Sequence, residues 1–183
     1  MKKYQIIYAD PAWKYNDKRV SITSDRPERY GGISYDVMDI EELSKLPIKD
    51  IADDNCTLFM WVTMPLLQDC FKVIDTWGFE YRTVAFVWDK MRHNPGIYTL
   101  SNCELCLVFK RGKIPTPRGA RNIQQLVRSP RKEHSEKPIE VIQAIEKMFP
   151  NHERIELFAR REVKGLSAWG LDMIKKGNEL SSG

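Results

Sequence analysis

Apolar and polar positions divide the chain into short buried segments separated by longer polar ones. Lys3-Tyr-Gln-Ile-Ile-Tyr8 is β-branched and aromatic and predicts a buried strand, stopped at Ala9-Asp10-Pro11. Residues 14–36 are polar, contain Gly31-Gly32 and predict a long loop, a feature that compact domains usually keep for function. A short helix is expected over 40–46, and Thr57-Leu-Phe-Met-Trp-Val62 predicts a second buried strand. Pro65 sits at a helix start, Leu66, Leu67, Phe71, Ile74 and Trp77 follow helical spacing, and Gly78 ends the run. Residues 79–88 alternate as a third strand, 89–102 read as a polar loop, 104–109 as a fourth strand and 110–131 as a basic loop. Pro138 opens a helix with Ile142, Ile145 and Phe149 on one face, Pro150 closes it, and 154–159 form a fifth strand. Strands alternating with helices predict an α/β sheet covered on both sides.

Such sheets bind ligands at the carboxyl ends of their strands. The first predicted strand ends in Asp10-Pro-Ala-Trp13 and the last in Arg160-Arg-Glu162. If the two strands are neighbours, both ends line one crevice.

Length and composition narrow the class. The chain has 183 residues, 42% hydrophobic and 30% charged. That fits one soluble domain spanning 1–183, and no apolar run approaches the ~18 residues of a membrane span. Met1-Lys2-Lys3 leads straight into the first strand without a signal-peptide core, so a cytoplasmic location is expected. The net charge of +4 is mild, but residues 110–132 hold eight basic residues and no acidic one. Such a block suits phosphate backbones, and its ordinary alternative is a solvated loop. Cys103 and Cys106 form a lone C-x2-C; three residues apart on a strand they face opposite ways, which suits reduced core thiols better than a metal.

Asp10-Pro11-Ala12-Trp13 is the most informative stretch. An exocyclic amine on a planar base needs acceptors for its N–H groups and a surface to stack on. Asp10 and the Pro11 carbonyl can accept, and Trp13 supplies a π face worth ~1–3 kcal/mol per stacked base. The ordinary alternative is a capping aspartate beside a core tryptophan.

The sequence resembles the MT-A70-type adenine N6-methyltransferases, in particular their small bacterial and bacteriophage members. Tyr8-Ala-Asp-Pro-Ala-Trp13 is similar to the family's catalytic Asp-Pro-Pro-Trp. Leu58-Phe-Met-Trp-Val62, Trp77-Gly-Phe79 and Phe86-Val-Trp88 match the middle of its pattern. Asn102-Cys-Glu-Leu-Cys-Leu107, His134-Ser-Glu-Lys-Pro138, Glu156-Leu-Phe-Ala-Arg160 and Trp169-Gly170 follow in order. The resemblance implies a Rossmann-like S-adenosylmethionine-dependent methyltransferase fold in permuted order, with the catalytic motif ahead of the cofactor-binding strand. It implies catalytic roles for Asp10, Pro11 and Trp13, and cofactor contacts from Ala9, Asp10, Lys137, Phe158, Arg160, Glu162 and Asp172. Trp13, Tyr15, Asn102, Glu104, Arg118, Arg121 and Arg128 are the candidate substrate contacts.

Three departures stand out. Ala12 replaces the family's second proline. Leu171 stands where an asparagine is expected at the ribose, which leaves Asp172 for the hydroxyls. The strand that larger relatives carry ahead of the catalytic one has no room before Asp10, so cofactor binding is expected to be weaker or completed by another segment or subunit. The implied reaction is methyl transfer from S-adenosylmethionine to N6 of adenine in DNA, without metal or covalent intermediate. RNA methylation and a catalytically silent nucleic-acid-binding subunit are the alternatives. The expected partners are DNA or RNA containing adenine, no membrane, and for the chain a monomer or homodimer.

Overall fold

The computed structural model describes residues 2–14, 38–96, 98–131, 136–159, 163 and 165–169. Its strands are β1 (Tyr4–Ala9), β2 (Ala52–Val62), β3 (Glu80–Asn94), β4 (Ser101–Arg111), β5 (Leu126–Arg128), β6 (Arg154–Leu157) and β7 (Ser167–Trp169). The helices are α1 (Ile40–Ser44), α2 (Ile48–Ile51), α3 (Leu67–Trp77) and α4 (Ile139–Met148). The strands form one seven-stranded sheet in the order β5-β3-β4-β2-β1-β6-β7. β4 pairs antiparallel with both β2 and β3, and every other pairing is parallel. This is a Rossmann-like α/β sheet with one reversed strand.

Period-two alternation divides the core. Ile7 and Ala9 of β1 with Leu58, Met60 and Val62 of β2 face Leu43, Ile48, Val73, Ile74 and Trp77 of α1, α2 and α3. Ile6, Tyr8, Phe59 and Trp61 face the other way, onto Val141 and Ile145 of α4 and Phe149 just beyond it. A single Met64–Leu66 turn of 3-10 helix precedes α3, and Gly78 ends α3 in the left-handed region at φ 75°, where a side chain would be strained.

Two segments differ from the expectation. Residues 89–94 continue β3 and 101–102 begin β4, so the expected polar loop is mostly the end of a hairpin. Beyond the buried Lys90, residues 91–93 are exposed and have no core to face. The basic segment is not a free loop either. Lys113 N donates to Asn55 Oδ1 at 2.8 Å, and Gly119 N and Ala120 N donate to the Met148 and Lys147 carbonyls, each at 2.8 Å. Leu126–Arg128 is a sheet strand. Gly119 permits the approach: a Cβ there would lie 2.3 Å from the Lys147 oxygen.

Candidate active site

β1 and β6 are adjacent and parallel, so their carboxyl ends share one edge. Asp10 follows β1 directly, and its N–H donates to the Leu157 carbonyl at the end of β6 at 3.5 Å. Because β4 is reversed, its amino-terminal residues reach this edge too: Val62, at the end of β2, pairs with Leu105. Thus Asp10, Asn102 and Glu104 come from separate segments of sequence and one edge of the sheet.

Lys137, just ahead of α4, closes the group. Its Nζ lies 3.0 Å from Asp10 Oδ1 and 3.3 Å from Glu104 Oε2, and 5.7 Å from the centre of the Trp61 ring. Glu104 Oε1 accepts from Lys90 Nζ at 3.3 Å. The result is a buried ladder, Asp10–Lys137–Glu104–Lys90, of alternating charge. Burial favours the neutral amine of Lys137, but the charges of Asp10 and Glu104 outweigh it and hold the ammonium above its ordinary pKa. Burial raises Glu104 in the same way, and Lys137 and Lys90 overcome it, so the carboxyl titrates below its usual range. Removing a member whose neighbour has no other counter-charge strands a buried charge, at ~3–5 kcal/mol, whereas the inner members Lys137 and Glu104 each keep one partner when the other is lost.

Glu156 of β6 stands outside this balance. It is 9% exposed, and its Oε2 is buried without a hydrogen-bond partner. Burial, with the Asp10 charge second, pushes its carboxyl up to about 7. Tyr8 accepts from the Trp61 indole Nε1 at 2.6 Å, and burial drives its phenol well above the ordinary range.

The other expected residues divide clearly. Pro11 is buried, and its carbonyl accepts from Trp13 N at 2.9 Å, which leaves one lone pair free. Trp13 is 6% exposed, packs in the core on the α3 side and donates from Nε1 to the Trp61 carbonyl at 3.3 Å. Its ring is therefore a core ring in this conformation, with no face open to a base, and it anchors the Asp10-Pro11 turn from beneath. Ala9 is fully buried in the sheet; its side chain cannot meet a ligand, though its backbone leads to Asp10. Phe158 holds φ 62° immediately after β6, a conformation costly for a bulky side chain, and packs edge-on to Trp169 at 5.6 Å. Asn102 is half-buried on β4.

Arg118 is half-buried, with its guanidinium 5.5 Å from the Phe149 ring centre, so it packs on the core rather than standing free for phosphate. Arg121 and Arg128 are exposed, Arg128 lying 3.8 Å from Asp89. Tyr15, Arg160, Glu162, Leu171 and Asp172 lie outside the described residues. Sequence reasoning passed over Lys90, which fell in the expected loop two residues beyond the predicted third strand, whereas β3 runs on through it.

An acidic side chain at the tip of one parallel strand, gripped by a lysine from a neighbouring helix start, sits where Rossmann-like methyltransferase sheets hold their ligands. The MT-A70 family profile matches residues 4–172, and the chain belongs to that family. It is 49% identical to the type II methyltransferase M.MunI of Mycoplasma sp, over 94% of this chain and 78% of that protein. It is 28% identical to the mouse N(6)-adenine-specific methyltransferase METTL4, covering 95% of this chain and 38% of the relative. With the human N(6)-adenosine-methyltransferase catalytic subunit METTL3 the identity is 27%, over 86% of this chain and 26% of the relative. Among the described residues no helix is long and apolar enough to cross a membrane.

Proposed function

We propose that this methyltransferase transfers a methyl group from S-adenosylmethionine to N6 of adenine in DNA. The observation that carries the reading is the Asp10 carboxylate, fixed 3.0 Å from Lys137 beside the free lone pair of the Pro11 carbonyl. Two acceptors on one rigid turn suit the two hydrogens of an exocyclic amine. The activities for which METTL4 and METTL3 are named support N6 of adenine as the target. The 49% identity to a type II methyltransferase, a class that acts on DNA, against 27% for the adenosine enzyme, favours DNA.

The residues fit the methionine end of the cofactor. Lys137 suits its carboxylate, Asp10 its ammonium, and Glu156 Oε2 is a buried acceptor still without a partner. Bound S-adenosylmethionine would supply an electrophilic methyl group on a sulfonium. The protein's part is positioning. Asp10 and the Pro11 carbonyl accept the amine hydrogens and draw the nitrogen away from planarity, which frees its lone pair for attack. Lys137 and Glu104 keep the Asp10 carboxylate oriented and ionised, so the acceptor is preorganised rather than recruited. Trp13 and the Asp10 N–H to Leu157 hold the turn in place.

The test is incubation with S-adenosylmethionine and unmethylated duplex DNA, single-stranded DNA or RNA, followed by nucleoside mass spectrometry. N6-methyladenine in DNA is the expected product. Its appearance in RNA alone would reassign the substrate, and its absence from all three would leave a silent binding subunit.

A further inference from the structure

The β3–β4 hairpin runs on past the charged ladder. Asp89 pairs with Cys103 and Asn94 with Ser101, so both arms leave the sheet at the edge that holds Asp10, Glu104 and Lys137. The outer part displays large apolar side chains: Met91 is 64% exposed, Tyr98 97% and Leu100 63%. Met91 sits in the left-handed region at φ 52°, with its N–H donated to Asp89 Oδ1 at 3.0 Å. Gly96 packs so closely on the Thr99 carbonyl that a Cβ would lie 2.2 Å from its oxygen. Gly96 and Thr99 meet backbone on backbone, and Tyr98 and Leu100 stand outward.

The exposed charge at the outer end of the hairpin is basic. Residues 91–100 hold Arg92 and His93 and no acidic residue; Lys90, just before them, is buried against Glu104. Arg92 is exposed, and so is Arg128 on the adjoining β5. Two acid-free hairpins meeting across a two-fold axis would repel, whereas a polyanion would be drawn in.

We infer that the tip of the β3–β4 hairpin is a wedge that enters a nucleic-acid duplex beside the target adenine and fills the gap left when that base swings out to Asp10. The inference rests on the methyl-transfer reading above. A base in a duplex must leave its stack to reach a pocket, and apolar side chains inserted between base steps offset the lost stacking. Leu100 precedes Glu104 by four residues, about 13 Å at strand rise, comparable to the ~12 Å width of a major groove. Tyr98 brings a flat face to the vacated position, and Arg92 and Arg128 meet the flanking phosphates.

The experiment compares unmethylated bacterial genomic DNA, native or heat-denatured, as acceptor of labelled methyl groups. Tyr98→Ala with Leu100→Ala is expected to slow transfer to native DNA at least ~10-fold, the equivalent of one base left unstacked. Transfer to denatured DNA should stay within about twofold, since no base has to be extruded there. Tyr98→Phe keeps the ring and should keep duplex activity. Both substituted side chains are exposed, so an unchanged Tm is expected and checks the fold. An equal loss on both DNA forms, no loss on native DNA, or a wild-type protein active only on denatured DNA would overturn the wedge and leave the methyl-transfer reading standing. A change in oligomeric state by sedimentation velocity would overturn it in favour of a contact between copies. No labelled adenine from the wild-type protein in either form would sink the reading itself, and the wedge with it.

Discussion

Two groups of cations on this protein look alike in the sequence and do different things. Lys90 is buried and Lys137 largely so, each within 3.3 Å of a carboxylate oxygen, and their positions are set by Glu104 and Asp10. Arg92, Arg121 and Arg128 are exposed, and Arg128 comes no nearer to Asp89 than 3.8 Å. The first group has its counter-charge built in. The second group faces solvent. Charge count does not separate them; the reversed strand β4 does, by bringing Glu104 to the edge where Lys137 arrives.

The largest expected effect breaks the buried group at its functional end. Asp10→Ala should lower methyl transfer ~10²–10³-fold, by analogy with the removal of one preorganised partner at a reacting centre. Lys137 keeps Glu104 as partner in this variant, so circular dichroism should show an intact fold. Near-normal turnover would remove Asp10 from the site.

Lys137→Ala takes the cation from Asp10 and leaves Glu104 with Lys90 alone as its cation. It should raise the dissociation constant for S-adenosylhomocysteine at least ~10-fold in titration calorimetry. It should also cost ~3 kcal/mol in chemical denaturation. Unchanged affinity with lowered stability would make the lysine purely structural.

Glu156 sharpens the contrast, since it is a buried carboxylate without a lysine. Its pKa in the folded protein is raised to about 7 from an ordinary value of 4.5. The protonated form is thus favoured in the folded state. The stability it confers is complete below pH ~4.5 and declines as pH rises through ~7. Glu156→Gln should therefore gain ~1–3 kcal/mol on the wild type at pH 8 and nothing at pH 4. Parallel stability–pH curves for the two proteins would refute the assignment.

The smallest effect belongs to the exposed group. Arg121→Gln with Arg128→Gln should reduce the log–log salt slope of duplex binding by ~0.9 for each phosphate that is no longer neutralised. Affinity for S-adenosylhomocysteine should not change. Arg118 is excluded from that pair, because its packing on Phe149 would turn a binding test into a stability test.

The hydrophobic pattern was enough to read β1, β6, the inner parts of β2, β3 and β4, and the helices α1, α3 and α4; the one-turn helix α2 was not read. β5 and β7 are three residues each, too short for a period to register. The outer arms of the hairpin went unseen because a ribbon solvated on both faces has no buried side to alternate with. At the site, Asp10 and Lys137 stood in short motifs, but their pairing is a product of topology: 127 positions separate them, and only the order β2-β1-β6 with α4 behind it brings them together. Trp13 shows the opposite limit. A tryptophan beside the Asp10-Pro11 turn reads equally as platform or foundation, and sequence does not carry its burial, which is nearly complete.

The reversed strand has one more consequence. A strand running with its neighbours must be reached by a crossover that passes behind the sheet. β3 and β4 are instead joined directly at the working edge, so residues 95–100 can lengthen, shorten or be exchanged without re-threading any core element. The hairpin is thus a natural cassette: this stretch can be exchanged between relatives while the Asp10–Lys137 pair stays in place.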